Sequence, residues 1–449
     1  MPLLRPDQVA FRALYKELVE TNTTLSAGSC TLAAQRMAVH LKKAGFAAKD
    51  VTVFSTPDHP KEGGLTAILH GTSATAEPMT LLGHLDVVEA KREDWTRDPF
   101  KLIEEDGYFY ARGTADMKAM DATWVDAFVR FKKDGYHPKR TIKLALTCGE
   151  ETTYAFNGAD WLAKNRPEAV KAAFALNEGG GGRTDGHGKL VVQTIQVGEK
   201  AAQNYRLETT NPGGHSSRPV RENAIYELAD ALVKVRDYEF PLKMTDTTRA
   251  FFAKAGAARG DDTGRAMIAL SKDQNDKQAE AIVSKDPTYH SMLRTTCVAT
   301  LLDGGHANNA LPQRAGANVN CRIFPGETVD GTLAALASAI GDAGVKITAV
   351  PPIRPLAVPP ALDPKIVGPA EQLVAKYFPG VPLVPSMSTG ATDGIFLEAI
   401  GIPVYGAPGG WGDPDGNGVH GLNERRSVRS VFVGRDFLTD LVKIYADAE

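Results

Sequence analysis

MTLLGHLDVV, residues 79–88, is an apolar run of the kind that forms a strand buried on both faces, and it carries His84 and Asp86 at its late end. Working outward, Met120, Trp124, Phe128 and Phe131 recur at spacings of four, four and three, which is one face of a helix over 117–131. Thr141–Cys148 (TIKLALTC) reads as a second strand, Tyr154–Lys164 as a helix and Ala173–Asn177 as a third strand. Strands alternating with helices predict an α/β fold, with a mostly parallel central sheet flanked by helices. Ligands of such sheets bind beyond the carboxyl ends of the strands. The polar residues collect there: His84 and Asp86 after the first strand, Glu150 and Glu151 after the second, Glu178 after the third.

The character then changes. Gly179–Gly188 (GGGGRTDGHG) is a loop by composition, with no GK[ST] to make it a phosphate cradle. Leu190–Lys200 and Asn204–Thr210 read as extended, and Glu222–Arg236 as a helix. The polar stretch Ser271–Lys285 is expected to be a mobile surface segment. Gly316–Phe324 is a strand and Gly331–Ile340 a helix. Proline-rich 351–364 marks a boundary. After it α/β alternation resumes, with helices near Ile366–Phe378 and Gly394–Ile400, a strand at Pro403–Tyr405 and a C-terminal helix. The expected domains are therefore 1–198 with 352–449, an α/β domain, interrupted by a smaller α+β domain at 199–351.

Composition narrows the function. The 449 residues are 43% hydrophobic and 23% charged with net charge −3, an ordinary globular balance with no basic field for nucleic acid or an anionic membrane. No apolar run approaches the ~20 residues of a membrane span. The four cysteines (Cys30, Cys148, Cys297, Cys321) are scattered without a CxxC pair, so neither a disulfide framework nor a zinc knuckle is expected. Cys148, on an apolar strand, reads as an inert buried thiol. The N-terminus lacks a signal-peptide apolar core, which predicts a soluble protein, cytoplasmic as the sequence stands and periplasmic or secreted if a leader has been removed.

His84, Asp86, Asp116, Glu150, Glu151, Glu178 and His420 form the chemically loaded set. Singly, each has an ordinary reading: a satisfied structural histidine, or a solvated pair of glutamates. Together, carboxylates placed after apolar strands need a partner, because burying charge alone is costly. Imidazole and carboxylate ligands suit zinc and neighbouring divalent ions, and a shared carboxylate can hold two of them.

The segments LLGHLDVV, YARGTADMK, LTCGEE, ALNEGG and GVHGLNE, in this order, resemble the M20 family of metallopeptidases and amidohydrolases, in its carboxypeptidase and aminoacylase branch. NPGGHSSRP and NNALP…CRIFPGE resemble the family's lid-domain motifs, so the likeness spans nearly the whole chain. It implies two divalent metal ions per subunit, zinc first, with cobalt or manganese as alternatives. His84, Asp116 and Glu178 would hold one ion, and Asp116, Glu151 and His420 the other, with Asp116 bridging. Asp86 would orient His84. Glu150 would be general base for a metal-bridging hydroxide attacking an amide. The peptide bond after Asp116 would be cis.

The resemblance also implies that His215 stabilises the oxyanion, and that Asn309 and Arg322 bind substrate polar groups, the free α-carboxylate above all. Gly390 and Thr392, in GATDG, would line the substrate side, although Thr392 or Asp393 also fits a plain helix cap. The implied substrates are short peptides or N-acyl amino acids with a free C-terminal carboxylate. The implied assembly is a homodimer through the inserted lid, with neither nucleic acid nor membrane as partner. Two rivals remain: an aminopeptidase or dipeptidase selecting a free N-terminus, and a non-catalytic metal- or peptide-binding descendant, which would have no use for a base at 150.

Overall fold

The computed structural model describes residues 4–152, 155–185 and 187–448. The chain forms two compact units: Met1–Val197 with Pro360–Ser386 and Thr392–Glu449, and Gly198–Pro359 with Met387–Ala391.

In the first unit the sheet order is Val51–Thr56, His59–Leu69, Ile142–Thr147, Met79–His84, Phe174–Asn177, Val404–Gly406, Leu190–Glu199, Gly181–Thr184 and Trp411–Gly412. The middle is parallel: Met79–His84 pairs in parallel with both Ile142–Thr147 and Phe174–Asn177, and the latter pairs in parallel with Val404–Gly406. Every residue of Met79–His84 and of Ile142–Thr147 is buried, as continuous apolar runs require of strands covered on both faces. Helices Cys30–Lys43, Lys118–Lys133 and Val428–Asp447 contribute Met37, Trp124, Phe128, Phe437 and Leu441 to one continuous core. Arg435, fully buried, donates to Asp126 at 2.8 Å and to Asp7 at 2.6 Å, which locks the C-terminal helix to two others through charges that could not be left unpaired.

The second unit is an antiparallel sheet in the order Thr296–Gly304, Arg314–Ile323, Ala201–Thr210, Lys346–Val350, with helices Ala224–Asp237 and Val329–Ile340. Four further helices, Asp246–Arg259, Asp262–Lys272, Lys277–Val283 and Pro287–Met292, bury a separate core that includes Phe252, Met267, Leu270 and Val283.

Three expectations are corrected. Ser271–Lys285 is not an open surface segment: it closes one helix and contains another, capped by Asp276 and burying Ala279 and Val283 among polar neighbours that hid the pattern. Gly181–Thr184, expected within a loop, is a strand between Leu190–Glu199 and Trp411–Gly412. A Cβ at Gly182 would lie 2.6 Å from Leu190 Cδ1, so the glycine that suggests a loop is there to admit a neighbour. Gly186, in the same expected loop, lies outside the described residues. So does Tyr154, the expected start of the following helix, which runs over Gly158–Asn165 with Asn157 as its cap.

The third correction concerns the cysteines, which form two disulfides, Cys30–Cys148 and Cys297–Cys321. Cys148 is therefore no free thiol. The first bond joins the start of helix Cys30–Lys43 to the end of strand Ile142–Thr147, and the second links directly opposed residues of neighbouring strands. Separations of 118 and 24 residues say nothing of such pairings, because helix-on-sheet packing brings the first two sulfurs together and strand register the second two.

Candidate metal centre and active site

Three parallel strands deliver the first donors. His84 ends its strand opposite Thr147, Glu150 and Glu151 follow Thr147 by three and four residues, and Glu178 follows Asn177 directly. The turn after Thr147 needs Gly149. Its φ is +100°, and a Cβ there would stand 1.8 Å from the Phe156 carbonyl oxygen. Asp116 sits just before helix Lys118–Lys133, and the Asp116–Met117 bond is cis. His420 comes from a loop 304 residues after Asp116 and holds a left-handed φ of 61°, a conformation that non-glycine residues keep where surrounding structure imposes it.

These donors meet on the two oxygens of Asp116. His84 Nε2 lies 3.2 Å from Asp116 Oδ1 and 3.5 Å from Glu178 Oε1. His420 Nε2 lies 3.2 Å from Asp116 Oδ2 and 3.1 Å from Glu151 Oε1. Each trio places one N or O donor from every member within 4.8 Å of the others, and so does His84 with Glu150 and Glu151. Cys30, Cys148 and Asp86 also cluster, but the two sulfurs are spent on each other.

Electrostatics fit a site built for cations. Burial alone would drive a proton from His84, yet Glu178 and Asp116 outweigh it and hold the imidazole well above its ordinary pKa. Hydrogen bonds to Asp116 and Glu151 raise His420 to about 10. Burial, then Glu178, pushes Glu150 well above the usual carboxylate range. Asp116 is lowered despite burial, through its bonds to His420 and His84. Four crowded carboxylates thus draw protons onto two imidazoles, and divalent ions are the natural replacement for those protons.

Asp86 differs from its expected geometry. The closest partner of His84 Nδ1 is the main-chain oxygen of Asp86 at 3.0 Å, with the carboxylate at 3.7 Å. That carboxylate accepts the amides of Glu150 at 3.4 Å and Glu151 at 3.0 Å, so it holds the glutamate turn. Thr392 Oγ1 accepts from Asn177 Nδ2 and from the Gly394 amide, and Gly390 lies in the other unit, with its amide on Ser388 Oγ. Asp393, buried and pushed up to about 6 by that burial, accepts from Thr147 and Asn157 rather than capping its helix.

His215, Asn309 and Arg322 belong to the second unit, at two separate places. The His215 segment pairs with Ala310–Leu311, and Ser216 N–H donates to the Asn309 carbonyl at 3.0 Å. Arg314, near that end, opposes Thr210, whereas Arg322 opposes Ala202 at the far end of the same strand. At ~3.3 Å per residue that is roughly 26 Å. Sequence reading passed over Glu424, a fully buried carboxylate in the His420 loop that the structure fastens to the Asp116 loop. Its signal is in the sequence: a glutamate close behind a candidate ligand, in a glycine-rich loop.

The chain is similar to known proteins. The model of "Peptidase family M20/M25/M40" matches residues 80–444. Zebrafish (Danio rerio) N-fatty-acyl-amino acid synthase/hydrolase PM20D1.1 is 30% identical over 374 residues, 80% of this chain and 71% of that one. The solved M20 family metallo-carboxypeptidase Sso-CP2 of Sulfolobus solfataricus superposes with a TM-score of 0.76 at 18% identity, covering 99% of this chain and 100% of that one. Bacillus subtilis YXEP, described as a dinuclear metal-binding M20 peptidase, superposes at 0.59 with 13% identity and 98% of each chain covered.

Proposed function

The chain belongs to peptidase family M20/M25/M40, a hydrolase of the kind that acts on peptides or N-acyl amino acids, and from that premise we propose that it cleaves the amide bond of a substrate with a free C-terminal carboxylate, using two divalent cations, zinc first. The carrying observation is the pair of donor trios that share the two oxygens of Asp116. His84, Asp116 and Glu178 would hold one ion, and Asp116, Glu151 and His420 the other. When bound, the cations supply Lewis acidity, polarising the amide carbonyl and making water a stronger acid near neutral pH. Glu150 takes the proton of the attacking water and passes it to the leaving nitrogen. Asp86 keeps Glu150 and Glu151 in place through their amides. Thr392 and Gly390 flank the substrate.

His215 donates to the oxyanion with Asn309 beside it, while Arg322 forks onto the substrate carboxylate. Arg314, on the His215 side of its strand, and Arg322 stand roughly 26 Å apart along that strand, so His215 and Arg322 meet the substrate from different places. We assign His215 to a partner subunit's site, in a C₂ dimer through the lid. The unpaired edge strand Thr296–Gly304 supports this, since it exposes Val298, Leu301 and Leu302, the last 71% accessible. The two disulfides support maturation in an oxidising compartment.

One set of measurements tests the reading: metal per chain, with hydrolysis of N-acyl amino acids and of unblocked dipeptides compared. Two ions and cleavage of blocked substrates are expected; cleavage confined to free N-termini makes it an aminopeptidase, and binding without turnover a descendant that lost catalysis. For the shared site, mixed Glu150→Gln and His215→Ala subunits should recover about half of wild-type activity per heterodimer, because one of the two sites receives neither defect. No recovery in demonstrated heterodimers puts His215 in cis. Alkylation of the native protein should find no free thiol.

A further inference from the structure

We propose that Glu424 is the positioning residue of the metal centre: its carboxylate clamps the loop carrying Asp116 to the loop carrying His420, and so sets the distance between the two cation positions. The inference rests on the dinuclear reading above.

The argument begins with hydrogen-bond supply. The chain from Ala111 to Asp116 turns too sharply for sheet or helix, so its buried amides need other acceptors. Glu424 provides them. Its Oε1 accepts the amides of Ala115 at 2.8 Å and Asp116 at 3.1 Å. Its Oε2 accepts the Gly113 amide at 3.1 Å and Arg112 Nη1 at 2.7 Å. Its own main-chain oxygen accepts the Ala111 amide at 3.2 Å. One residue, with no exposed surface, thus fixes five donors along six residues ending at the shared ligand.

The other half of the clamp holds His420. Arg112 Nη2 donates to the Gly421 carbonyl at 2.9 Å, so the guanidinium that pairs with Glu424 also grips the residue after the histidine. Arg112 is itself buried, its plane lying 5.1 Å from the Trp95 ring. Asp116 and His420 lie 304 positions apart in sequence, yet the buried Arg112–Glu424 ion pair bonds to the backbones of both loops. Such a pair is costly to bury unless its geometry is fully used. Here both Glu424 oxygens are spent on the Asp116 loop, and Arg112 carries the link on to Gly421 beside His420. A purely architectural link would not need to accept the amide of the ligand itself.

Glutamine at 424 keeps the shape but turns one oxygen into a donor, which must face either Arg112 and Gly113 or Ala115 and Asp116. Partners that orient metal ligands are worth 10- to 100-fold in affinity or activity. With cobalt as the probe ion, Glu424→Gln should bind it about 10- to 100-fold more weakly than wild type by calorimetry. Its cobalt absorption bands should shift, and kcat should fall by a similar factor with KM within about twofold. Metal-free thermal unfolding and near-ultraviolet circular dichroism measure the folded fraction, to which each value is normalised. If the glutamine variant folds poorly, Glu424→Asp, which keeps the charge and shortens the reach, should shift affinity and spectrum the same way by a smaller factor. Wild-type cobalt affinity and bands in a folded variant overturn the clamp and leave the dinuclear reading standing. A wild-type chain that takes up no pair of cobalt ions overturns both.

Discussion

Glu150→Gln separates proton transfer from metal binding. Glu150 belongs to neither trio on Asp116, and its backbone amide, not its side chain, ties the turn to Asp86 at 3.4 Å. Glutamine therefore preserves the turn, the volume and Glu151, and removes only the capacity to carry a proton. A positioned general base contributes ~10²–10⁴ in rate, or about 2.7–5.5 kcal/mol of barrier. We expect kcat on an N-acyl amino acid to fall by about that factor while metal analysis still finds two ions per chain. The contrary outcome has a structural basis, because the Glu150 carboxylate also comes within ligand distance of His84 and Glu151. Metal content dropping in step with activity would make Glu150 a ligand, and a loss below tenfold would put the proton on another group.

Asp116→Ala should cost more metal than His84→Ala or His420→Ala, each of which touches one cation position; equal loss of a single ion in all three, by metal analysis, contradicts the bridge. Burial, reinforced by Arg322, lowers Lys200 to about 7 in the folded second unit, against ~10.4 unfolded. Between those values the unfolded chain binds more protons, so stability should rise from about pH 7 towards about pH 10. Urea midpoints at increasing pH should show that slope, and Lys200→Met should flatten it; an unchanged slope in the variant removes Lys200 as its source. Replacing Cys30 and Cys148 by alanine releases a crosslink across 118 residues, worth ~4–5 kcal/mol on the chain-entropy account, and denaturant midpoints equal to wild type would refute that.

The central strands and their terminal polar residues were legible because strands covered on both faces must be apolar, which leaves His84 and Glu178 conspicuous. What escaped was non-local. The Cys297–Cys321 disulfide, the strand Gly181–Thr184 and the separation of Arg322 from His215 depend on register between distant segments, and the Cys30–Cys148 disulfide on a helix packed against the sheet, neither of which local composition encodes. Lys277–Val283 escaped for a different reason: a seven-residue helix with two buried apolar positions is too short to show a period. Local pattern can also promise too much. DPDGNGVHGLNE, residues 413–424, has the acidic spacing of a calcium loop, but Asp413 accepts from Tyr108, Asp415 pairs with Arg425 and Glu424 is committed to Arg112.

The interruption of the first unit also sets an order of assembly during synthesis. His84, Asp116 and Glu178 leave the ribosome together, whereas His420 follows Glu178 by 242 residues, roughly 12–50 s later at ~5–20 residues per second. On the proposed assignment, the donors of one cation position are therefore complete before the last donor of the other has been made. Over the same interval strand Phe174–Asn177 waits for Val404–Gly406, its parallel neighbour, with that hydrogen-bonding edge unpaired. Such an edge invites pairing with another nascent chain. The insertion thus leaves that edge open until the second part of the first unit has been made.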